Sequence, residues 1–556
     1  MRHYECIPAP SPIRGLLVRR PLPSAILSLL LLFTAAPAAI GQSATRQETV
    51  VIAMGREPVT PIPTLAGGSA SIDVSTLLFL PLARLGPNNI TAGDKDFVPV
   101  LARSWKRRDA LTLVFEMDPR ARWHDGVPVT AQDAALALNL ARDSSVSAGT
   151  ALLLRRIASV TAEDAQHLVV RFTEAYDEQL YDAIYQVSPL PAHLVDTIPR
   201  GQLLHSAYAS APIGNGPYRW SRRVPGQQLD LVANDQFFLG KPGPRRVTIL
   251  TVADPEARMN LVLSGGADVL QTLGATSDVA RVQADKRLAI YPAPSFGVGY
   301  LLFNQRDPAD PTRPHPVLAD RDVRTAIRMA LDVPAIVAAT FGDWASVPVG
   351  PVPQLFWIRD PTVRPPAQNT TGALALLKAR GWFDTDGDGY LDKDGKPLTL
   401  SINFPASSAP RAQVALLAQE QLRQAGIKIE LNRLEGSVWN DRRNKGQFDI
   451  DFGQATLDPS PYGLMQSWGC AGRGGSNVGY YCDPKVDSLL SAALLSRKNA
   501  LALYRQAVRT IVDDVPAVFV YSPTLPFTVA RRIRRVEINP TYLYAALWRW
   551  NPGPLP

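Results

Sequence analysis

The side chains able to catalyse a reaction or bind a metal are widely separated in this sequence. No two of the six histidines stand at the spacing of a local metal site, and neither a phosphate-binding glycine loop nor a zinc-protease motif occurs. Ser264-Gly265-Gly266 lacks the glycine that precedes the serine of a nucleophile elbow. The residues therefore indicate no catalytic centre, no metal site and no cofactor, although an enzyme could still assemble a site from distant positions.

The most concentrated acidic group is the stretch Asp384-Thr385-Asp386-Gly387-Asp388-Gly389. Oxygen donors at alternate positions begin like a calcium-binding loop, but the twelfth position, a bidentate glutamate in such loops, is Gly395. Asp and Gly also form tight turns through local hydrogen bonds and positive φ angles. We therefore predict a structural turn over residues 384–394, with a weak structural calcium site as the alternative.

The N-terminus has the layout of a secretory signal peptide. Arg14, Arg19 and Arg20 precede an apolar run over residues 25–36, and small residues follow it. The run is shorter than the roughly 18–20 residues that span a bilayer, so an uncleaved anchor is the less favoured interpretation. We predict a signal peptide over residues 1–41, cleavage near residues 38–41, and a periplasmic location.

Export determines which cysteines the mature chain keeps and places them in an oxidising compartment. Cys6 lies in the predicted signal peptide, so the mature chain keeps Cys470 and Cys482. Two cysteines close in sequence in an oxidising compartment predict a disulfide, with a pair of free buried thiols as the alternative.

Composition excludes several classes of protein. The chain has 556 residues, of which 46% are hydrophobic and 19% charged, so it can bury large cores and is not a disordered chain. Its net charge of +8 is thinly spread, and no basic run carries interleaved aromatic residues, which argues against a nucleic-acid partner. The mean hydropathy is close to zero and no second long apolar run occurs, which excludes a polytopic membrane protein.

Strand-like and helix-like segments alternate along the chain, which predicts an α/β fold. Apolar residues recur at helical spacing after Asp320, after Thr371 and after Ser408. Gly381 and Gly426 follow the last two of these helices as C-terminal caps. No flexible linker separates independent domains, so we expect large lobes joined by short crossings.

A series of short motifs runs in one order from about residue 48 to residue 521. The most specific motif is WHDGVPVTAQD at residues 123–133, and the others lie at residues 101–105, 191–194, 214–218, 234–242, 263–268, 304, 322–327 and 381–395. Over essentially the whole mature chain these motifs resemble extracytoplasmic solute-binding protein family 5, the peptide, oligopeptide and dipeptide type of ABC transporter substrate-binding protein. Within the motif at residues 123–133, Thr130 and Asp133 can cap a helix, so we expect this motif, including His124, to be scaffold.

The resemblance implies a two-lobed periplasmic binding protein fold of class II, in the large peptide-binding form with an extra subdomain. Lobe I would comprise residues 42–296 plus 521–556, with the subdomain inserted at about residues 80–205, and lobe II would comprise residues 297–520. The lobes would be joined by a hinge and would enclose the ligand, and closure would signal occupancy to the permease. The expected partners are a peptide or similar small polar solute and the permease subunits of an ABC transporter, and the protein itself is expected to be a monomer.

By the same resemblance, ligand should contact the segment after the first strand, the first hinge crossing and the loop after the strand at residues 448–452. The expected positions in these segments are Arg56, Glu57, Tyr300, Asn304, Gln454, Thr456 and Asp458. Trp439 and Arg443, which precede the strand, are added as an aromatic wall and an anion partner. The alternatives are solvated surface cations for Arg56 and Arg443 and a core residue for Trp439. Relatives bind the α-amino group of a peptide with an aspartate whose position here reads Leu457, so Asp458 would serve only through a local shift, and Asp451 is an alternative acid. This departure leaves another small polar compound open as the solute.

Two other functions remain as alternatives. One is an exported hydrolase acting on a peptide or glycan, which would need carboxylates converging in the cleft, and the sequence offers no preferred pair. The other is a binding module that serves a chemoreceptor instead of a permease. The fold and the motifs favour solute binding without catalysis.

Overall fold

Strands and helices alternate along the chain in the computed structural model, as the sequence predicts. The structure describes residues 46–66, 68–185, 187–273, 276–496 and 498–554, so the expected signal peptide and its cleavage site lie outside the described residues. The strands are β1 (Thr49–Met54), β2 (Ala83–Leu85), β3 (Phe97–Pro99), β4 (Ala102–Asp109), β5 (Thr112–Met117), β6 (Ile157–Ala162), β7 (His167–Phe172), β8 (Tyr218–Val224), β9 (Gln228–Ala233), β10 (Arg246–Thr251), β11 (Val269–Leu270), β12 (Leu288–Pro294), β13 (Gly297–Phe303), β14 (Ala345–Ser346), β15 (Asp392–Lys393), β16 (Lys396–Pro397), β17 (Thr399–Pro405), β18 (Lys428–Leu434), β19 (Ile450–Thr456), β20 (Ala517–Ala530), β21 (Ile533–Arg534) and β22 (Asn551–Pro552). The helices are α1 (Ser69–Leu78), α2 (Ala131–Ala141), α3 (Ala148–Leu153), α4 (Gln179–Ile184), α5 (Ala192–Val195), α6 (Ala207–Ser210), α7 (Pro255–Leu263), α8 (Thr276–Ala284), α9 (Arg321–Ala330), α10 (Val333–Phe341), α11 (Thr370–Ala379), α12 (Ala409–Gln424), α13 (Gly436–Asn444), α14 (Gly463–Trp468), α15 (Pro484–Leu495) and α16 (Ala500–Asp514).

A large mixed sheet contains most of the strands that reach the candidate site. Its order is β18-β17-β19-β13-β20-β11-β1-β10-β9-β8, and β12 and β14 also pair with β20. The fourteen-residue strand β20 pairs through its first part with β13 and through its last part with β12, both antiparallel. One continuous strand in the middle of the sheet therefore joins the half from β18 to β13 to the half from β11 to β8.

Gly299 allows β13 and β20 to approach each other. A Cβ atom at this position would lie 2.1 Å from the nearest ring carbon of Tyr521 on β20. The pairing register also shifts between Gly299 and Tyr300. A larger residue at position 299 would collide with the tyrosine ring, so glycine is required by the close approach of the two strands.

The buried apolar side chains form four clusters, which pair by their position in the chain into a first core and a second core of two clusters each. The first core contains residues from 50–293 and 527–550 together with Leu494. The second core contains residues from 298–521. These cores give the expected two-lobed architecture its physical basis, because each buries its own apolar surface. The residue boundaries of the lobes stay a prediction.

The three helices predicted from apolar spacing are confirmed. Helix α9 begins after Asp320, whose side chain accepts a hydrogen bond from the backbone N–H of Asp322 and so caps the helix. Helices α11 and α12 end just before Gly381 and Gly426, whose φ angles are 84° and 71°. These positive angles are the left-handed conformation that glycine adopts at low cost.

The expected disulfide joins Cys470 and Cys482. Cys470 begins a short 3-10 turn after α14, and Cys482 lies two residues before α15. The backbone N–H of Cys470 also donates to the carboxylate of Asp487 at 3.0 Å. The bridge and this bond fix the 470–482 loop against α15.

In the described part of the chain, no single helix combines the length and hydropathy needed to cross a membrane. The segments Arg321–Ala330 and Val333–Trp344, bent by 52° where they meet, reach that length and composition only as a pair.

Candidate functional site

A cavity of about 720 Å³ lies between segments that belong to the two cores. Helix α1 and residues 184–185, 187–188, 271–272 and 540–543 form the wall on the side of the first core. Residues 454 and 456–459, at the end of β19 and just after it, form the opposite wall. Binding cavities for small molecules have volumes of about 300–1,000 Å³, so this cavity is the candidate site.

Three of the predicted contact residues line this cavity: Gln454, Thr456 and Asp458. Successive side chains of a strand point to opposite faces, and Ala455 packs into the second core while its two neighbours are exposed. The hydroxyl of Tyr521 donates a 2.8 Å hydrogen bond to the side-chain oxygen of Gln454 and so orients this amide.

Asp458 presents a carboxylate to the cavity. Its Oδ1 accepts a hydrogen bond from the hydroxyl of Tyr185, which lies on the opposite wall. Burial raises the pKa of Asp458 above its usual range, and this hydrogen bond opposes the shift. Within the described residues no Lys or Arg pairs with it, so a cationic group of a ligand would meet a carboxylate of unsatisfied charge.

Two further charged residues in the cavity wall were missed by the sequence analysis. Asp73 on α1 is only 5% exposed, and its Oδ2 accepts a 2.5 Å hydrogen bond from the side-chain amide of Gln271. Burial raises the pKa of Asp73 to about 7 and lowers that of the Arg84 guanidinium to about 10. The sequence signal is one aspartate in the apolar helix SASIDVSTLL, which does not say that this face of the helix meets a cavity.

The motif at residues 214–218 positions α1. The backbone N–H groups of Asn215 and Gly216 donate to the carbonyl of Leu78 at 3.0 and 2.8 Å. The side-chain oxygen of Asn215 accepts from the N–H of Leu80 at 2.8 Å. A Cβ atom on Gly214 would lie 2.0 Å from the same carbonyl oxygen, so glycine is needed for this approach. The motif therefore holds the C-terminal end of the helix that forms one wall.

The motif at residues 123–133 acts as scaffold, as expected. His124 accepts a hydrogen bond from the N–H of Gly214 and lies 3.1 Å from the carbonyl of Gly216 through its other nitrogen. Burial lowers the pKa of His124 to about 4, so the ring is neutral near pH 7. Thr130 and Asp133 form the predicted capping box at the start of α2.

Arg56 and Glu57 line a second cavity of about 370 Å³. The two cavities share three wall residues: Ser69, Gln271 and Thr272. Glu57 accepts hydrogen bonds from Arg223 Nε at 2.7 Å and from the N–H of Gly226 at 2.9 Å. Its carboxylate is therefore occupied by the β8–β9 hairpin, whereas Arg56 is exposed.

Tyr300 and Asn304 lie in the interior and are not part of the wall of either cavity. The ring of Tyr300 packs edge-on against Trp468 and Phe519. The side-chain amide of Asn304 donates to the carbonyls of residues 446 and 448 at 2.9 and 3.0 Å. These contacts give both side chains a structural role, and contact with ligand stays a prediction.

Trp439 and Arg443 also stand outside the walls of the two cavities and together hold Asp451. The indole N–H of Trp439 donates to Oδ1 of Asp451 at 2.8 Å, and Arg443 Nε lies 3.1 Å from Oδ2. Asp451 is fully buried, and burial raises its pKa to about 6 although Arg443 opposes the shift. Ligand contact by Trp439 and Arg443 stays a prediction.

The acidic stretch at residues 384–389 forms turns. The N–H groups of Gly387 and Gly389 donate to the carboxylate of Asp384 at 2.7 and 3.2 Å. Asp384, Asp386 and Asp388 are exposed, and their oxygens come within 4.8 Å of one another, the one such acidic group found among the described residues. The predicted turn is thus present.

Comparison with known proteins agrees with this architecture. Residues 96–476 match the family described as bacterial extracellular solute-binding proteins, family 5 Middle. The chain is 24% identical over 454 residues to the oligopeptide-binding protein AppA of Bacillus subtilis, and this alignment covers 79% of this chain and 81% of AppA. It is 25% identical over 528 residues to the probable D,D-dipeptide-binding periplasmic protein DdpA of Escherichia coli, and this alignment covers 92% of this chain and 96% of DdpA.

Solved structures show the same fold. The structure of B. subtilis AppA in complex with a nonapeptide superposes with a TM-score of 0.73 at 23% identity, covering 90% of this chain and 98% of AppA. NikZ from Campylobacter jejuni in complex with Ni(L-His) superposes with a TM-score of 0.75 at 21% identity, covering 91% of this chain and 99% of NikZ. The matched family spans more than half of the chain and agrees with its motifs, its two cores and its cavity, so the protein belongs to family 5 of the bacterial extracellular solute-binding proteins.

Proposed function

We propose that the protein is the periplasmic substrate-binding component of an ABC importer and that it captures a peptide or similar small polar solute. The observation that carries this proposal is the cavity of about 720 Å³, whose walls come from segments of both cores. A ligand there contacts both walls at once, so binding favours the closed arrangement. Membership of a solute-binding family and the peptide ligands named for its relatives support the choice of solute.

The proposed recognition begins with the ligand's α-amino group at Asp458. This carboxylate is held by Tyr185 and has no Lys or Arg partner within the described residues. An ammonium group would supply the missing countercharge in a site from which water is largely removed, where such a pair is strong. Arg84 offers a guanidinium to a carboxylate of the same ligand.

In this function no bond of the solute is made or broken. The closed protein presents the occupied site to the permease, and the lobes open at the membrane to release the solute. The hinge would lie where β12 leads into β13 and where β20 passes from one core to the other, close to the boundaries predicted at residues 296–297 and 520–521.

The test is mass spectrometry of any compound released when the purified, exported protein is denatured, followed by calorimetry with that compound. We expect an unmodified peptide or small polar solute that rebinds, and rebinding that is weakened in Asp458→Asn. Conversion of the compound by the folded protein would contradict the proposal and favour the hydrolase. A deletion of the cognate permease that leaves uptake of the compound unchanged would contradict the importer role.

A further inference from the structure

Asp73 is a buried acid without a countercharge. Its carboxylate lines the large cavity, is 5% exposed and accepts one side-chain hydrogen bond, from Gln271. Within the described residues no Lys, Arg or His lies within ion-pair distance of it. A buried carboxylate with one neutral donor is costly in its ionised form, because the lost hydration is not replaced.

The position of Asp73 in its helix gives no structural reason for a charge. Helix α1 begins after Gly68, so Asp73 lies at the fifth helical position, beyond the N-terminal cap and first turn where a carboxylate stabilises a helix. The amide of Gln271 would donate equally well to an asparagine at this position. The fold therefore needs a hydrogen-bond acceptor here and does not need a negative charge.

The other titratable groups around Asp73 do not neutralise it. Those that share the cavity wall or lie close to Asp73 are Arg84, Asp458, Tyr185, Tyr542 and Tyr544. Strand β8, which packs against α1, carries three arginines: Arg219, Arg222 and Arg223. Arg219 donates to Asn234 and Arg223 to Glu57, and Arg222 is exposed.

We propose that Asp73 binds a second cationic group of the ligand, so that the cavity selects peptides that carry a basic side chain. This inference rests on the proposed function and names the class of its substrate. The formal charges of the wall support it, since two carboxylates, Asp73 and Asp458, stand with one guanidinium, Arg84. A peptide with an α-amino group, a basic side chain and an α-carboxylate has the complementary set of two cations and one anion.

A ligand cation would also stabilise the ionised form of Asp73, which burial disfavours in the ligand-free protein. Burial raises the pKa of this carboxyl to about 7, so it is about half protonated near neutral pH in the absence of ligand. A lysine or arginine side chain at Asp73 would stabilise the ionised form and replace its hydration. A neutral side chain at the same place would leave the carboxyl protonated and would gain only a neutral contact.

The test compares three tripeptides that carry one lysine, Lys-Ala-Ala, Ala-Lys-Ala and Ala-Ala-Lys, with counterparts that carry norleucine instead. Calorimetry is done at about pH 8, where Asp73 is mostly ionised, on the wild type, Asp73→Asn and Asp458→Asn. We expect at least one lysine tripeptide to bind the wild type about tenfold or more tighter than its counterpart, the scale of a desolvated charge pair. Asp73→Asn should abolish that preference, so that each lysine tripeptide binds the variant within about threefold of its norleucine counterpart. Asp458→Asn should weaken the binding of all six tripeptides.

Three outcomes overturn the inference. The first is an equal affinity of the wild type for the lysine and norleucine tripeptides, which contradicts basic selectivity and leaves the peptide-binding function intact. The second is a preference for lysine tripeptides that survives in Asp73→Asn. The third is an equal loss of affinity for all six tripeptides in that variant, which would place the α-amino group at Asp73. A wild-type protein that binds none of the six contradicts the proposed peptide function itself. The melting temperature of ligand-free Asp73→Asn, expected to be no lower than that of the wild type, shows that the variant is folded.

Discussion

The hydroxyl of Ser460 donates a 2.6 Å hydrogen bond to the carboxylate of Glu178, 282 residues earlier in the chain. The other oxygen of Glu178 accepts from the hydroxyl of Thr91, which itself accepts from the indole N–H of Trp357 at 3.1 Å. Glu178 is buried, and burial raises its pKa above the usual range. Two side chains from residues 80–205, the expected subdomain of lobe I, are thereby joined to two from the expected lobe II.

Ser460→Ala should lower the free energy of unfolding by about 1–3 kcal/mol, because a buried carboxyl oxygen loses its donor. The measurement is urea unfolding of the ligand-free protein near neutral pH. Ser407→Ala is the matched control, since Ser407 is exposed and has no side-chain hydrogen bond within the described residues. Equal unfolding midpoints for the two variants would show that the bond across the cores contributes nothing.

Trp439→Phe should destabilise the protein by about 1.5–3 kcal/mol, the cost of losing a hydrogen bond to a buried charged group. The indole N–H holds Oδ1 of Asp451, and a phenyl ring keeps much of the packing while removing the donor. Trp548→Phe is the control, because Trp548 is also half-buried and its N–H meets no acceptor among the described residues. If Trp439→Phe is as stable as this control but binds peptide more weakly, the tryptophan acts on the ligand and not on Asp451.

Reduction of the disulfide should lower the free energy of unfolding by about 3 kcal/mol, as the chain-entropy account gives for a loop closed over 12 positions. Unfolding curves recorded with and without a reductant measure this difference. The double variant Cys470→Ser with Cys482→Ser should be insensitive to the reductant. Two titratable thiols in denatured, unreduced mature protein would contradict the presence of the bridge in the exported protein.

Asp73→Asn should change the pH dependence of stability. The pKa of Asp73 is about 7 in the folded protein against the ordinary 3.8 of an aspartate in the unfolded chain, so the folded state binds more protons between these values. Wild-type stability is therefore lost as pH rises from about 4 to about 7, by up to about 4 kcal/mol for this group. The asparagine variant lacks this loss, so it should match the wild type near pH 4 and exceed it near pH 8. Parallel stability curves for the two proteins between these pH values would contradict the buried ionisation.

Much of the fold was predictable from short stretches of sequence. Apolar spacing and the glycines at 381 and 426 predicted α11 and α12, because a helix buries one stripe and ends readily at a residue with positive φ. The Thr130–Asp133 capping box and the pairing of Cys470 with Cys482 were also predicted and confirmed. Each of these features depends on residues that are close in the chain, so a single sequence contains the whole signal.

The candidate site was predictable only in part. The loop after β19 was expected to meet ligand, and Gln454, Thr456 and Asp458 do line the cavity. Trp439 and Arg443 were chosen for the same role; both contact Asp451 in the structure, and their contact with ligand stays a prediction. Arginine and tryptophan suit a ligand and a buried carboxylate equally well, so residue type alone could not distinguish the two.

Short motifs and local spacing were enough to identify the family, three of the helices and the local caps and turns of this protein. Which charges face the cavity is set only when distant segments of the chain pack together. Asp73 reaches it because the carbonyl of Leu78 is held by the backbone of Asn215 and Gly216, more than a hundred residues away in the chain. Whether such a carboxylate is hydrated, paired or buried without a partner depends on neighbours that only folding brings together, and its pKa and its affinity for a cation follow from those neighbours.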